Sequence, residues 1–219
     1  MRIGIYSERI RGIIENYPVG EPFINENIAE ILKKEFDLAQ RDAMLITNNK
    51  LKRMYDEGKL GRIEKGVYYV PKQTVFGQVK PDYDRYAVKM LTISADEIIG
   101  YESGASFFNR IGLSTLIPRE IEVVSNNYRR KLPDNCHVTA KKPPVNITSD
   151  NYRYLQMLDV INDMRRLHID AENPEEIISS VIAKNKIDPI RLVGFARKFY
   201  PQRILPKVID IIVGDDFTL

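Results

Sequence analysis

The sequence predicts a helix-rich α+β protein in two domains, residues 1–75 and 76–219, and three observations carry that expectation. Apolar residues recur at three- and four-residue spacing through most of the N-terminal quarter. Two short β-prone runs then flank a Glu64-Lys65-Gly66 turn. After Pro143-Pro144 the helical spacing returns and holds to the end.

Ser7 is placed to cap a first helix reaching about Tyr17, with Ile10, Ile13 and Ile14 on one face. Pro18, Gly20 and Pro22 break it. Asn25 is placed to cap a second helix through about Phe36, with Ile28, Ile31 and Leu32 inward. A third helical stretch runs from about Asp37 to Glu57. Its register is open between one continuous helix and a restart at Thr47, where Thr47 is the N-cap and Ile46 and Leu51 form a hydrophobic staple. Leu51, Met54 and Tyr55 make its inward stripe, and Gly58 ends it. Leu60 and Ile63 belong to one short strand and Val67 to Val70 to another. Three helices followed by a β-hairpin read as a winged helix-turn-helix. Gln73 to Pro81 reads as a linker.

The expected C-terminal domain is larger and mixed, ending in a helical bundle. Helices are expected at Tyr83 to about Ser94 and Glu102 to Ile111, strands at Glu120 to Ser125 and His137 to Lys141. In the Gly104-Ala105 helix, Phe107, Phe108 and Ile111 are core-sized, and Leu113, Leu116 and Ile117 anchor the following loop. Four helices follow at about 150–167, 174–184, 188–199 and 201–213. Asn173-Pro174 and Asp188-Pro189 each put proline at a first helical position. Gly214 to Leu219 reads as a frayed tail.

A chain of 219 residues that is 43% hydrophobic and 29% charged can bury a core, which excludes a wholly disordered protein. A net charge of +3 does not by itself establish a nucleic-acid partner. Its distribution says more: residues 1–40 carry five Lys/Arg against seven Asp/Glu, and residues 41–72 carry eight against four. The single cysteine, Cys136, excludes an intramolecular disulfide and fits a cytoplasmic location. The opening MRIGIYSERIRG lacks the apolar run of a signal peptide, and Val208 to Val213, broken by Asp210, is too short to span a membrane.

The positive segment supplies the candidate site. In a helix-turn-helix the second helix enters the major groove, Asn suits adenine, Arg or Lys suits guanine, and cations neutralise phosphates. The candidate contacts are Thr47, Asn48, Asn49, Lys50, Lys52 and Arg53, with Arg41 upstream for a phosphate and Arg62 and Lys65 in the hairpin. The bland reading of KLKRM is a solvated amphipathic helix; the succession of helix, glycine stop and basic hairpin favours double-stranded DNA as the partner. A second basic cluster, Arg129, Arg130, Lys131, Lys141 and Lys142, is either a further nucleic-acid or partner surface or a solvated loop.

Two segments, LKRMYDEGKLGRIEKGVYYVPK (51–72) and GYESGASFFNRIGLSTLIPREIEVVSNN (100–127), together resemble the AbiEi family of antitoxins from type IV toxin–antitoxin pairs. The resemblance implies an N-terminal winged helix and a C-terminal antitoxin domain. It implies an autorepressor that binds inverted repeats in its own promoter and counteracts a nucleotidyltransferase-like toxin encoded beside it, in abortive infection against phage. Whether that toxin is touched directly stays open.

Catalytic, metal and cofactor sites are not expected. The two histidines, His137 and His168, lack ligand spacing, and Cys136-His137 would point to opposite faces of a strand. No phosphate-cradling or nucleophile-elbow motif occurs. Ser103, Ser106 and Ser114 suit caps and turns, and no carboxylate pair follows Gly104-Ala105-Ser106 as metal-dependent nucleotidyl transfer requires. Asp215-Asp216 falls in the tail. Two alternatives stand beside the antitoxin expectation: a winged-helix regulator without a toxin partner, and a protein-interaction module that neutralises an enzyme by contact.

Overall fold

The computed structural model describes residues 2–75, 77–94 and 97–214 of a mixed α+β chain. It divides into two compact units, residues 1–86 and 87–219. The tail expected to fray from Gly214 lies, beyond that glycine, outside the described residues, Asp215-Asp216 included.

Unit 1 opens with α1 (Arg2–Glu15), which begins before Ser7, so Ser7 is an interior residue and not the expected cap. Ile10 and Ile14 are buried. β1 (Pro22–Ile24) follows, a strand that the sequence reading lacked. Asn25 opens α2 (Asn25–Phe36) as its first helical residue; Ile24 holds the N-cap position, and the Asn25 Oδ1 accepts from the N–H of Glu26 over 2.9 Å. Ile28, Ala29 and Leu32 point inward and Ile31 is half-buried.

α2 ends at Asp37, left-handed at φ 51°, with the N–H of Leu38 donating to the Lys33 carbonyl. Asparagine and aspartate tolerate that conformation better than other non-glycine residues. Three residues, 37–39, therefore separate α2 from α3 (Gln40–Asp56). α3 is one continuous helix. The restart at Thr47 is absent because Ala43, Thr47, Leu51 and Met54 form a single buried stripe from one end to the other. Tyr55, expected inward, is 42% exposed. Gly58, at φ 71°, stops the helix as expected: its N–H donates to Tyr55 and that of Lys59 reaches back to Met54, the paired bonds of a Schellman cap.

β2 (Gly61–Glu64) and β3 (Val67–Tyr69) form the expected hairpin, bulged between Arg62 and Glu64. β1 pairs antiparallel with β3, so the sheet order is β1-β3-β2. Ile10, Ile14, Phe23, Ile28, Leu32, Leu51, Met54, Leu60 and Tyr68 close one core.

The expected linker contains a second hairpin, β4 (Lys72–Thr74) with β5 (Gly77–Val79). α4 (Tyr83–Thr92) starts inside unit 1: Arg85 faces Glu21 at 3.8 Å, and the Tyr86 hydroxyl donates to Glu64 over 2.9 Å. These contacts carry the first unit past the expected boundary at residue 75.

In unit 2, β6 (Ile93–Ser94) pairs with β7 (Glu97–Ile98), and Ile93 is exposed. β8 (Gly100–Ser103), β9 (Ile121–Ser125) and β10 (Val138–Lys141) form a sheet in the order β10-β9-β8, with β10 parallel and β8 antiparallel to β9. The helix expected from Glu102 starts later, as α5 (Gly104–Ile111). The residues before it are strand because they pair with β9, Glu102 opposite Val123 and Ser103 opposite Glu122; at the start of that strand a Cβ on Gly100 would stand 2.3 Å from the Leu91 carbonyl and 2.8 Å from that of Val124, so only glycine admits this close approach. Leu113 is buried, but Leu116 and Ile117 are 57% and 89% exposed and anchor nothing. Ser106 donates to the Ser103 carbonyl and Ser114 accepts from the Leu116 N–H, the turn-forming roles their types suggest.

The helices α6 (Tyr152–Asp163), α7 (Pro174–Lys184), α8 (Pro189–Phe199) and, after a 3-10 turn, α9 (Leu205–Val213) complete the bundle. Their core joins Phe107, Phe108 and Leu113 to Leu158, Ile178, Leu192 and Val208. Asp188 caps α8 by accepting from the Arg191 N–H over 2.8 Å.

Candidate nucleic-acid interface

The buried stripe of α3 fixes which side chains face outward. Residues one turn apart share a face, so burial of Ala43, Thr47, Leu51 and Met54 turns Arg41, Leu45, Asn48, Asn49 and Lys52 to the opposite side. All five are exposed. The turn after α2 sets α3 against that helix, and the cap at Gly58 sends the chain directly into the β2–β3 hairpin, with Arg62 and Lys65 exposed on it.

One side chain couples these parts. Asn25 is 8% exposed. Its N–H donates to the Gly66 carbonyl at the hairpin turn over 2.8 Å, and its Nδ2 donates to the Asn48 Oδ1 on α3 over 2.6 Å. A Cβ on Gly66 would lie 3.0 Å from the Asn25 Oδ1, so the hairpin turn is fitted closely to this asparagine. Helix and hairpin are thereby held in a fixed relation, which a rigid binding surface requires.

The candidate residues from the sequence do not all share that face. Thr47 has no exposed surface and cannot touch a ligand, which removes it from the set. Lys50 is half-buried on the other flank, where burial, with Arg11 and Arg53 nearby, pushes its ammonium below the usual lysine range. Arg53 pairs with Glu57 at 3.0 Å and Lys59 with the same carboxylate at 2.7 Å. These hydrogen bonds, Lys59 first, hold the Glu57 carboxyl below the usual range. Arg62 donates from Nε to the Glu64 carbonyl over 3.2 Å.

Sequence reading covers the first turn of α3 and Arg41 with the helical stretch expected from about Asp37, but it does not single out Leu45, because only the buried stripe shows that this side chain turns outward. It also missed Arg11, whose proximity to Lys50 only the packed fold reveals. The outward face offers hydrogen-bonding amides and cations, with the exposed acids Asp42 and Asp56 towards its two ends. That arrangement can read base edges and neutralise phosphates.

The second basic cluster lies in unit 2 and divides between two hollows. Asn126, Asn127, Tyr128, Arg129 and Arg130 line an open one of about 520 Å³, with the Arg129 guanidinium 5.3 Å from the Tyr128 ring centre. Lys131 is exposed. Lys141 and Lys142 line the other, of about 300 Å³, beside Glu122, Asp159, Asp163 and Arg166. There Lys141 pairs with Glu122, and Arg166 grips Asp163 through two bonds of 2.8 and 2.6 Å, so much of the positive charge is matched by acids. Asp159 accepts from Tyr101 over 2.8 Å and from Tyr200 over 2.7 Å. Burial, opposed by those bonds and reinforced by Asp163 and Glu122, pushes its carboxyl up to about 6. Burial beside Asp159 also pushes both tyrosines up.

Among the described residues, no group of three or more His, Cys, Asp or Glu side chains is arranged to hold a metal ion. Cys136 is free and half-buried, and no described helix is long and apolar enough to cross a membrane. A family of unknown function, DUF6088, matches residues 26–190, from the start of α2 into α8. No curated protein matches the chain.

Proposed function

The chain belongs to the DUF6088 family, and from that premise we propose that it is a DNA-binding transcriptional regulator whose N-terminal unit is a winged helix-turn-helix. The observation that carries this reading is the outward face of α3, with Arg41, Asn48, Asn49 and Lys52 exposed beside a hairpin bearing Arg62 and Lys65. The order helix, strand, helix, helix, strand, strand, with the sheet arranged β1-β3-β2, supports it. So does the three-residue connection between α2 and α3, the length typical of a helix-turn-helix. In this reading α3 enters the major groove, Asn49 contacts a base edge, Arg41 and Lys52 contact phosphates or guanine, and the hairpin reaches the neighbouring backbone.

The fuller function is that of a cytoplasmic autorepressor and antitoxin, without catalytic activity or cofactor. It binds inverted repeats in its own promoter and counteracts a nucleotidyltransferase-like toxin encoded beside it. The support for this second half is the resemblance of residues 51–72 and 100–127 to the AbiEi antitoxins.

A promoter-reporter assay tests the regulatory half. The full chain supplied in trans is expected to lower expression from DNA upstream of its own gene, and Asn49→Ala with Lys52→Ala is expected to relieve that repression. Unchanged expression with the wild-type chain would refute it. Co-expression with an adjacent nucleotidyltransferase-like gene tests the other half, with restored growth as the expected outcome.

A further inference from the structure

Leu45 is 59% exposed, in the middle of the outward face of α3. Arg41 precedes it by one helical turn, and Asn48 and Asn49 follow by one. Its neighbours Leu38 and Ile46 pack against the core of unit 1; Leu45 does not. An exposed leucine is ordinary by itself. Its setting is not: Arg41, Asn48 and Asn49, suited to phosphates and base edges, flank it together with the acid Asp42, in the half of the helix that enters a groove first.

The major groove presents hydrogen-bonding groups at every base pair and one apolar group, the C5-methyl of thymine. A branched aliphatic side chain on a groove-facing helix can bury that methyl and gains nothing comparable at the other bases. We propose that Leu45 reads a thymine methyl, so that unit 1 prefers a thymine at one fixed position beside the base contacted by Asn49. This rests on the DNA-binding reading and adds to it the base class that the surface selects.

The full chain is used to select binding sites from a library of random duplexes. In the enriched duplex each thymine is then replaced singly by deoxyuridine, which removes the methyl and keeps every hydrogen-bonding group. The wild-type chain is expected to lose about four-fold in affinity at one position of each half-site, the value of one buried methyl-sized group, and to be indifferent at the rest. Leu45→Ala, which opens no core because the side chain is exposed, is expected to bind thymine and deoxyuridine equally at that position. Leu45→Met, which keeps an apolar reach, is expected to keep part of the preference. Indifference of the wild-type chain at every thymine overturns the inference, as does full discrimination retained by Leu45→Ala; in both cases an enriched site leaves the DNA-binding reading standing. Failure to enrich any site overturns that reading, and the inference with it.

Discussion

Asn25 donates from Nδ2 to the Oδ1 of Asn48 over 2.6 Å, joining the first residue of α2 to the outward face of α3. The same residue's N–H holds the hairpin turn at Gly66 over 2.8 Å. The side-chain bond engages the Asn48 oxygen, so Asn49 is the asparagine with both amide groups available for bidentate contact with adenine.

Asn25→Ala removes the side-chain half of this connection and leaves the backbone half. Loss of a largely buried hydrogen-bonding amide is expected to cost about 1–2 kcal/mol of stability, measured by urea denaturation. DNA affinity should fall as well, because the hairpin and α3 lose their shared anchor. A variant as stable as the parent would show that Asn25 holds nothing in place.

Thr47 is buried mid-helix, and its hydroxyl has no hydrogen-bond partner. Thr47→Val keeps the shape and removes the unpaired polar group, so it is expected to stabilise the protein by about 1 kcal/mol, read as a higher denaturation midpoint. DNA binding should not change, since Thr47 faces the core. A loss of binding without a loss of stability would return Thr47 to the contact surface.

Lys50 and Lys52 are two positions apart on α3 and face different surroundings. Lys52→Ala is expected to reduce the slope of log affinity against log salt by about one phosphate contact. Lys50→Ala, half-buried near Arg11 and Arg53, is expected to leave that slope nearly unchanged. Equal effects in a salt titration would mean that the helix is rotated relative to the groove.

Asp159 gives unit 2 a pH dependence of definite sign. Its folded-state carboxyl is pushed up to about 6, above the ordinary value of 3.8, so between those values the folded protein holds a proton that the unfolded chain has released. Stability is favoured below this window and falls as pH rises through it, by about 3 kcal/mol from this group. Glu57, held low by Lys59 and Arg53, and Asp170, held low by hydrogen bonds from the Thr115 hydroxyl and N–H, act in the opposite sense. The difference between wild type and Asp159→Asn isolates the effect. The variant is expected to gain relative stability as pH rises from 4 to 7, and parallel curves would contradict it.

The sequence reading succeeded where local chemistry decides structure. Gly58 stops α3, Gly66 closes the hairpin, and Asp188-Pro189 opens α8 because each residue suits the backbone it occupies. It failed where tertiary pairing decides. β1 is only three residues long and is a strand because Phe23 meets Tyr68 across the sheet. The turn before α3 contains neither glycine nor proline; Asp37 adopts the left-handed conformation instead, so the helical stretch reads from sequence as starting at about Asp37, and its continuity through Thr47 stays open until the buried stripe is seen. The cations were legible as a segment. Which of them share a face depends on the buried stripe of α3, and that required the fold.

The claim that α3 binds DNA sequence-specifically is tested most directly by a gel shift of the full chain on DNA from upstream of its own gene, beside unrelated DNA, at stepped salt. Tighter binding to its own upstream DNA, weakening with salt and lost in Asn49→Ala with Lys52→Ala, is the predicted result. Equal, weak binding to both DNAs would contradict it.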